Sequence, residues 1–130
     1  MTKILLIEDD GLMSRMYSRL FIHEGYDVQV AQDGEEGFAK AIEFLPDIIL
    51  LDVMMPKMNG LETIRKLKED ERTRNIIVVL LTNLAIQDKL DEAMRLGAVA
   101  YITKSDHQPD EIIKMVEGFL SKKTQIKLEN

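Results

Sequence analysis

Ile76-Ile77-Val78-Val79-Leu80-Leu81-Thr82 is the stretch that decides the fold. Six consecutive apolar residues, four of them β-branched, leave no polar position for a solvent-facing side. Such a run makes a central strand covered on both faces, as in a parallel sheet, rather than an alternating half-exposed one. Ile48 to Leu51, shortly after Pro46, has the same character, and Lys3 to Ile7 reads as another strand. Asp27 to Ala31 alternates as a partly exposed strand, and Ala98 to Ile102 supplies a fifth. The intervening segments carry helical spacing. Leu12, Met13, Met16 and Leu20 lead to Gly25, a natural residue just past a helix end. Asp33 with Glu36, and Asn59 with Glu62, form capping-box patterns ahead of Phe38, Ala41 and Ile42 and of Leu61, Ile64 and Leu67. A fourth helix from about Ala85 to Leu96 stops at Gly97, and Pro109 suits the first turn of a fifth reaching about Leu120. Five strands alternating with five helices predict an α/β, doubly wound, mostly parallel sheet with helices on both faces. Residues 1–121 read as one domain and 122–130 as a polar, frayed C-terminal tail.

Composition narrows the function. A chain of 130 residues with 45 % hydrophobic content has enough apolar side chains for one core, and is short for two domains. The net charge of −6 argues against direct nucleic-acid binding, which needs a basic face. No run of eighteen apolar residues suggests a membrane span, and the apolar stretch after Lys3 is too short for a signal peptide. With no cysteine there are no disulfides or thiolate metal sites, which fits a cytoplasmic setting.

In an open α/β sheet the functional groups gather beyond the carboxyl ends of the strands, where the strand order reverses. Those ends carry Glu8-Asp9-Asp10, Asp52, Thr82 and, just past the fifth strand, Lys104. Carboxylates about 4 Å apart repel by roughly 4 kcal/mol at an effective dielectric of 20, so their convergence calls for a cation. Oxygen-only donors favour Mg²⁺ over zinc or copper. Thr82 and Lys104 are the hydroxyl and ammonium that the oxygens of an added phosphoryl group would need. An Asp, a metal, a hydroxyl and a Lys together describe an acyl-phosphate site, with Asp52 attacking in line.

These residues resemble the receiver domains of two-component response regulators over roughly Lys3 to Leu120. The resemblance rests on five elements in order: Leu5-Leu6-Ile7-Glu8-Asp9; Ile48-Ile49-Leu50-Leu51-Asp52; the loop Met55-Pro56-Lys57-Met58-Asn59-Gly60; Thr82, thirty residues after Asp52; and Tyr101 with Lys104, nineteen and twenty-two residues after Thr82. It implies a flavodoxin-like fold with strand order 2-1-3-4-5. Asp52 would be the phosphorylation site, Asp9 a direct Mg²⁺ ligand, Glu8 a ligand mainly through water, and the backbone carbonyl of Met54 a further ligand. Lys104 would pair with Asp52 and then with the phosphate. Thr82 would shift toward the phosphate and Tyr101 would swing inward. The implied protein is no enzyme beyond catalysing its own phosphorylation and dephosphorylation. Its partners would be a sensor histidine kinase or phosphotransfer protein and an unidentified output protein. The face of helix 4, strand 5 and helix 5 would be the contact surface, with weak dimerisation through it left open. Two positions depart from the family's usual pattern: Ser105 stands where Pro commonly follows the Lys, and Asn83 where a very small residue commonly follows the Thr.

Competing chemistries fail on named residues. An Asp-nucleophile phosphatase of the haloacid dehalogenase class needs an acid two residues after the nucleophile, where this chain has Met54. A flavin mononucleotide carrier needs an anion-binding loop after strand one, where Glu8-Asp9-Asp10 would repel the phosphate. The remaining alternative is a receiver-like binding module that is never phosphorylated, for which Ser105 and Asn83 are the only support. Asp10 reads as an acid starting a helix, Met54, Met55 and Met58 as packing residues, and His23 and His107 as surface residues.

Overall fold

A computed structural model of the protein describes residues 1–53, 59–83 and 87–129. Its elements follow the order β1 (Lys3–Ile7), α1 (Gly11–His23), β2 (Asp27–Ala31), α2 (Gly34–Phe44), β3 (Ile48–Leu51), α3 (Gly60–Glu69), β4 (Ile77–Thr82), α4 (Gln87–Leu96), β5 (Ala100–Thr103), a short 3₁₀ turn Lys104–Asp106, and α5 (Pro109–Glu129). All strand pairs are parallel, in the order β2-β1-β3-β4-β5. This is the doubly wound parallel sheet expected from the apolar runs, in the flavodoxin-like strand order that the family resemblance implies.

Side chains alternate across each strand, so consecutive residues feed two different cores. Leu5, Ile7, Ile49, Leu51, Val78 and Leu80 face a layer holding Ala41 and Phe44 of α2, Ile64 and Leu67 of α3, and Leu90 and Ala93 of α4. Ile4, Leu6, Ile48, Leu50, Val79 and Leu81 face Tyr17 and Phe21 of α1 and Ile112, Ile113 and Val116 of α5. All four residues of β3 are fully buried, which is why its sequence has no polar position.

Helix starts follow the expected capping residues. Asp33 accepts from the Glu36 amide and Asn59 from the Glu62 amide. The return contact of Glu36 goes to the Gln32 amide, one residue ahead of the usual capping box. At the other end of α4, Gly97 has φ +127 and lies on the Lys68 side chain, where a Cβ would meet Lys68 Cγ at 2.9 Å.

Two boundaries differ from the sequence reading. The fifth strand begins at Ala100 rather than Ala98, because the Ala98 amide bonds the Ala93 carbonyl and closes the end of α4. The last helix continues to Glu129 instead of ending near Leu120 in a frayed tail. Ser121 to Glu129 has no Gly or Pro and includes three Lys with a Gln, a Leu and a Glu, all of which favour helix, so polarity alone supplies no stop. Among the described residues, no helix is long and apolar enough to cross a membrane.

Candidate functional site

The strand order reverses between β1 and β3, and both strands end at the same height, Ile7 opposite Leu51. The next peptide continues the ladder: the Asp52 amide donates to the Ile7 carbonyl at 3.1 Å. That bond sets Asp52 beside Glu8 and Asp9. One carboxylate oxygen from each of Glu8, Asp9 and Asp52 lies within 4.8 Å of the others. Asp10, as the sequence suggests, is structural: it caps α1, accepting from the Leu12 and Met13 amides at 2.9 and 3.1 Å.

Opposite the acids stand the two donors from strands β4 and β5. Thr82, at the end of β4, donates from Oγ1 to Asp52 Oδ1 at 3.0 Å. Lys104, in the 3₁₀ turn after β5, directs its ammonium inward, 3.7 Å from Asp52 Oδ2. Its nearer partner is Glu8, to whose Oε1 it donates. The Lys104 and Glu8 side chains are only 6 % and 3 % exposed, against 13 % for Asp52. Among the described residues there is no cis peptide bond, so with Ser105 after it Lys104 still reaches the cluster on a trans backbone. Asn83 is exposed.

A close backbone approach ties the start of α3 to Val53, just past β3. The Gly60 amide donates to the Val53 carbonyl at 3.2 Å, and a Cβ on Gly60 would sit 2.4 Å from Val53 Cα. Only a glycine lets the start of α3 lie against the end of β3.

Burial dominates the electrostatics. Desolvation pushes the Glu8 carboxyl up to about 7, Asp52 adding to the rise and Lys104 opposing it. Glu8 Oε2 is buried and has no hydrogen-bond partner among the described residues. An orphaned buried carboxylate oxygen is costly, and a hard cation among these oxygen donors would remove the cost. The residues therefore fit a divalent ion.

Most of the expected site residues come together: Glu8, Asp9, Asp52, Thr82 and Lys104. Tyr101 does not join them. It lies on the edge strand β5, opposite Leu80, with 42 % of its surface exposed. Met54 falls outside the described residues, as do Met55 and Met58. Sequence reasoning missed the Glu8 contact of Lys104, having paired the lysine with Asp52. The available signal was length, since glutamate reaches one methylene further than aspartate.

The family model for the response regulator receiver domain matches residues 4–117. The DNA-binding dual master transcriptional regulator RpaA of Synechocystis is 40 % identical over 127 residues, covering 97 % of this chain and 52 % of RpaA. The chain thus spans about half the length of that curated relative. Among solved structures, the Vibrio cholerae chemotaxis protein CheY4 superposes with TM-score 0.83 at 29 % identity, covering 90 % of this chain and 97 % of CheY4. The Mn²⁺-bound form of response regulator Rcp1 does so with TM-score 0.77 at 28 % identity, covering 93 % of each chain.

Proposed function

The chain belongs to the response regulator receiver domain family, and from that premise we propose that Asp52 is the residue that accepts the phosphoryl group. A receiver domain is a phosphorylation-driven switch that catalyses only its own phosphorylation and dephosphorylation. The observation that carries the assignment is the convergence on Asp52 of two acids, a hydroxyl and an ammonium.

In the proposed reaction an oxygen of Asp52 attacks the phosphorus of a phosphohistidine in line. The new O–P bond forms as the N–P bond breaks, and the imidazole nitrogen leaves with the electron pair. Lys104 neutralises one phosphoryl oxygen from a place already beside Asp52. Thr82 transfers its hydroxyl hydrogen bond from Asp52 Oδ1 to the phosphoryl group. Glu8, Asp9 and Asp52 would hold Mg²⁺, with the backbone carbonyl of Met54 added on the resemblance alone. When bound, the ion offsets the mutual repulsion of the acids and the charge of the incoming phosphoryl oxygens.

The response passes from Thr82 to Tyr101, whose ring turns inward as the threonine moves away. Met94 of α4, Val99 just before β5 and Tyr101 of β5 are exposed apolar and aromatic side chains, which supports the α4–β5–α5 region as the output surface. The proposed donor is a sensor histidine kinase or phosphotransfer protein, the receiver of the signal a partner protein, and the setting the cytoplasm. Residues 1–121 form the proposed receiver unit, and 122–130 its polar extension.

Incubation with acetyl phosphate and Mg²⁺ followed by intact-mass measurement tests the assignment. One added phosphoryl group in the wild type, absent in Asp52→Asn, is expected. No gain under any donor condition would leave a module that works by contacts alone.

A further inference from the structure

The contact between Glu8 and Lys104 is not required by the phosphotransfer scheme. The ammonium donates to Glu8 Oε1, yet stands 3.7 Å from Asp52 Oδ2, within ion-pair range but beyond a hydrogen bond. With both side chains almost fully buried, neither charge can turn to water instead. An ammonium in such a place goes to the carboxylate that reaches it first. Glu8 wins by its length: an aspartate at this position would withdraw its carboxylate by about 1.5 Å, one carbon–carbon bond. Asp52 would then be the nearest anion to Lys104. An ammonium closing from 3.7 Å to contact on Asp52 would draw charge from the attacking oxygen. It would also have to be displaced before a cation could use that oxygen.

We propose that Glu8 is a positioning residue, holding Lys104 beside Asp52 but off it, so that the phosphoacceptor carboxylate stays available. The same side chain faces two ways. Oε1 takes the ammonium, and Oε2, with no hydrogen-bond partner among the described residues, is left for a cation. This inference rests on the reading of Asp52 as phosphoacceptor, but it concerns the protein before any donor arrives.

A double-mutant cycle read by calorimetric titration with Mg²⁺ alone tests it, using wild type, Glu8→Asp, Lys104→Met and the pair. Glu8→Asp is expected to weaken Mg²⁺ binding by about tenfold when Lys104 is present. In the Lys104→Met background the same change should weaken it clearly less, because only the reach of the ligand is lost and no ammonium remains to fall onto Asp52. An equal loss in both backgrounds would reduce Glu8 to a plain ligand and overturn the proposal. Should Glu8→Asp fail to fold, a metal-free crystal structure of the wild type decides. Lys104 Nζ bonded to Glu8 upholds the proposal, and Nζ in hydrogen-bond contact with Asp52 refutes it. Phosphoryl gain from acetyl phosphate can persist whichever way the cycle falls, so failure of this inference and failure of the phosphoacceptor reading are separable.

Discussion

The two ends of the sheet treat charge in opposite ways. At the amino ends of β1 and β3, the Lys3 amide donates to Asp47 at 2.9 Å, and the Lys3 ammonium donates to the Phe44 carbonyl at 3.1 Å and lies over the Phe44 ring. Charges there sit at the rim, each opposite a partner. At the carboxyl ends three carboxylate oxygens crowd within 4.8 Å, and buried Glu8 Oε2 has no hydrogen-bond partner among the described residues. One end is built for stability. The other holds unfavourable electrostatics that a ligand can relieve, a pattern common at functional sites.

The widest break in this contrast should come from removing one acid. Asp9→Asn is expected to lower Mg²⁺ affinity by at least on the order of a hundredfold. Its folding stability should be unchanged or higher, because a repulsion is removed. A titration showing wild-type affinity would remove Asp9 from the cation site.

A smaller effect, on stability, follows from Glu8. Its carboxyl lies well above the ordinary value in the fold, at about 7 against 4.5. Between those values the native state binds more protons than the unfolded one, so stability falls as pH rises through that window and levels off above it. In metal-free protein this amounts to about 3 kcal/mol at most. Melting temperatures across the range should show the decline, and Glu8→Gln should flatten it. A wild-type curve rising over the same window would contradict the burial of Glu8 as an unfavourable charge.

The amino end sharpens the comparison with the smallest change. Lys3→Ala should cost about 1 kcal/mol, the worth of an exposed cation–π contact and a hydrogen bond. It should leave Mg²⁺ affinity untouched. A shift in affinity from so remote a substitution would show the two ends to be coupled.

How much of this was legible beforehand depended on whether a feature is local. β1 and β3 are where the apolar runs put them, because a stretch buried on both faces, Ile4 to Ile7 and Ile48 to Leu51, admits no polar residue. The caps at Asp33 and Asn59 are local contacts and could be read from spacing. Ala98 closes α4 instead of opening β5, while the Val99 amide already bonds the Val78 carbonyl, because apolarity does not say whether a residue pairs in a sheet or closes a helix. The end of α5 was set too early because a change to polar composition is no helix stop. In the site, strand ends named the acids, Thr82 and Lys104. The choice of Glu8 over Asp52 by Lys104 depends on reach in three dimensions between residues 96 apart in sequence, and no spacing encodes it.

The hydrogen bond from the Asp52 amide to the Ile7 carbonyl has a dynamic consequence. It is the last rung between two central strands, so its proton exchanges with solvent only when the carboxyl ends of those strands part. Deuterium should therefore enter at Asp52 more slowly than at exposed amides outside the sheet. The side chain assigned the covalent chemistry hangs from a peptide tied to the neighbouring strand, and whatever moves on phosphorylation must move around it.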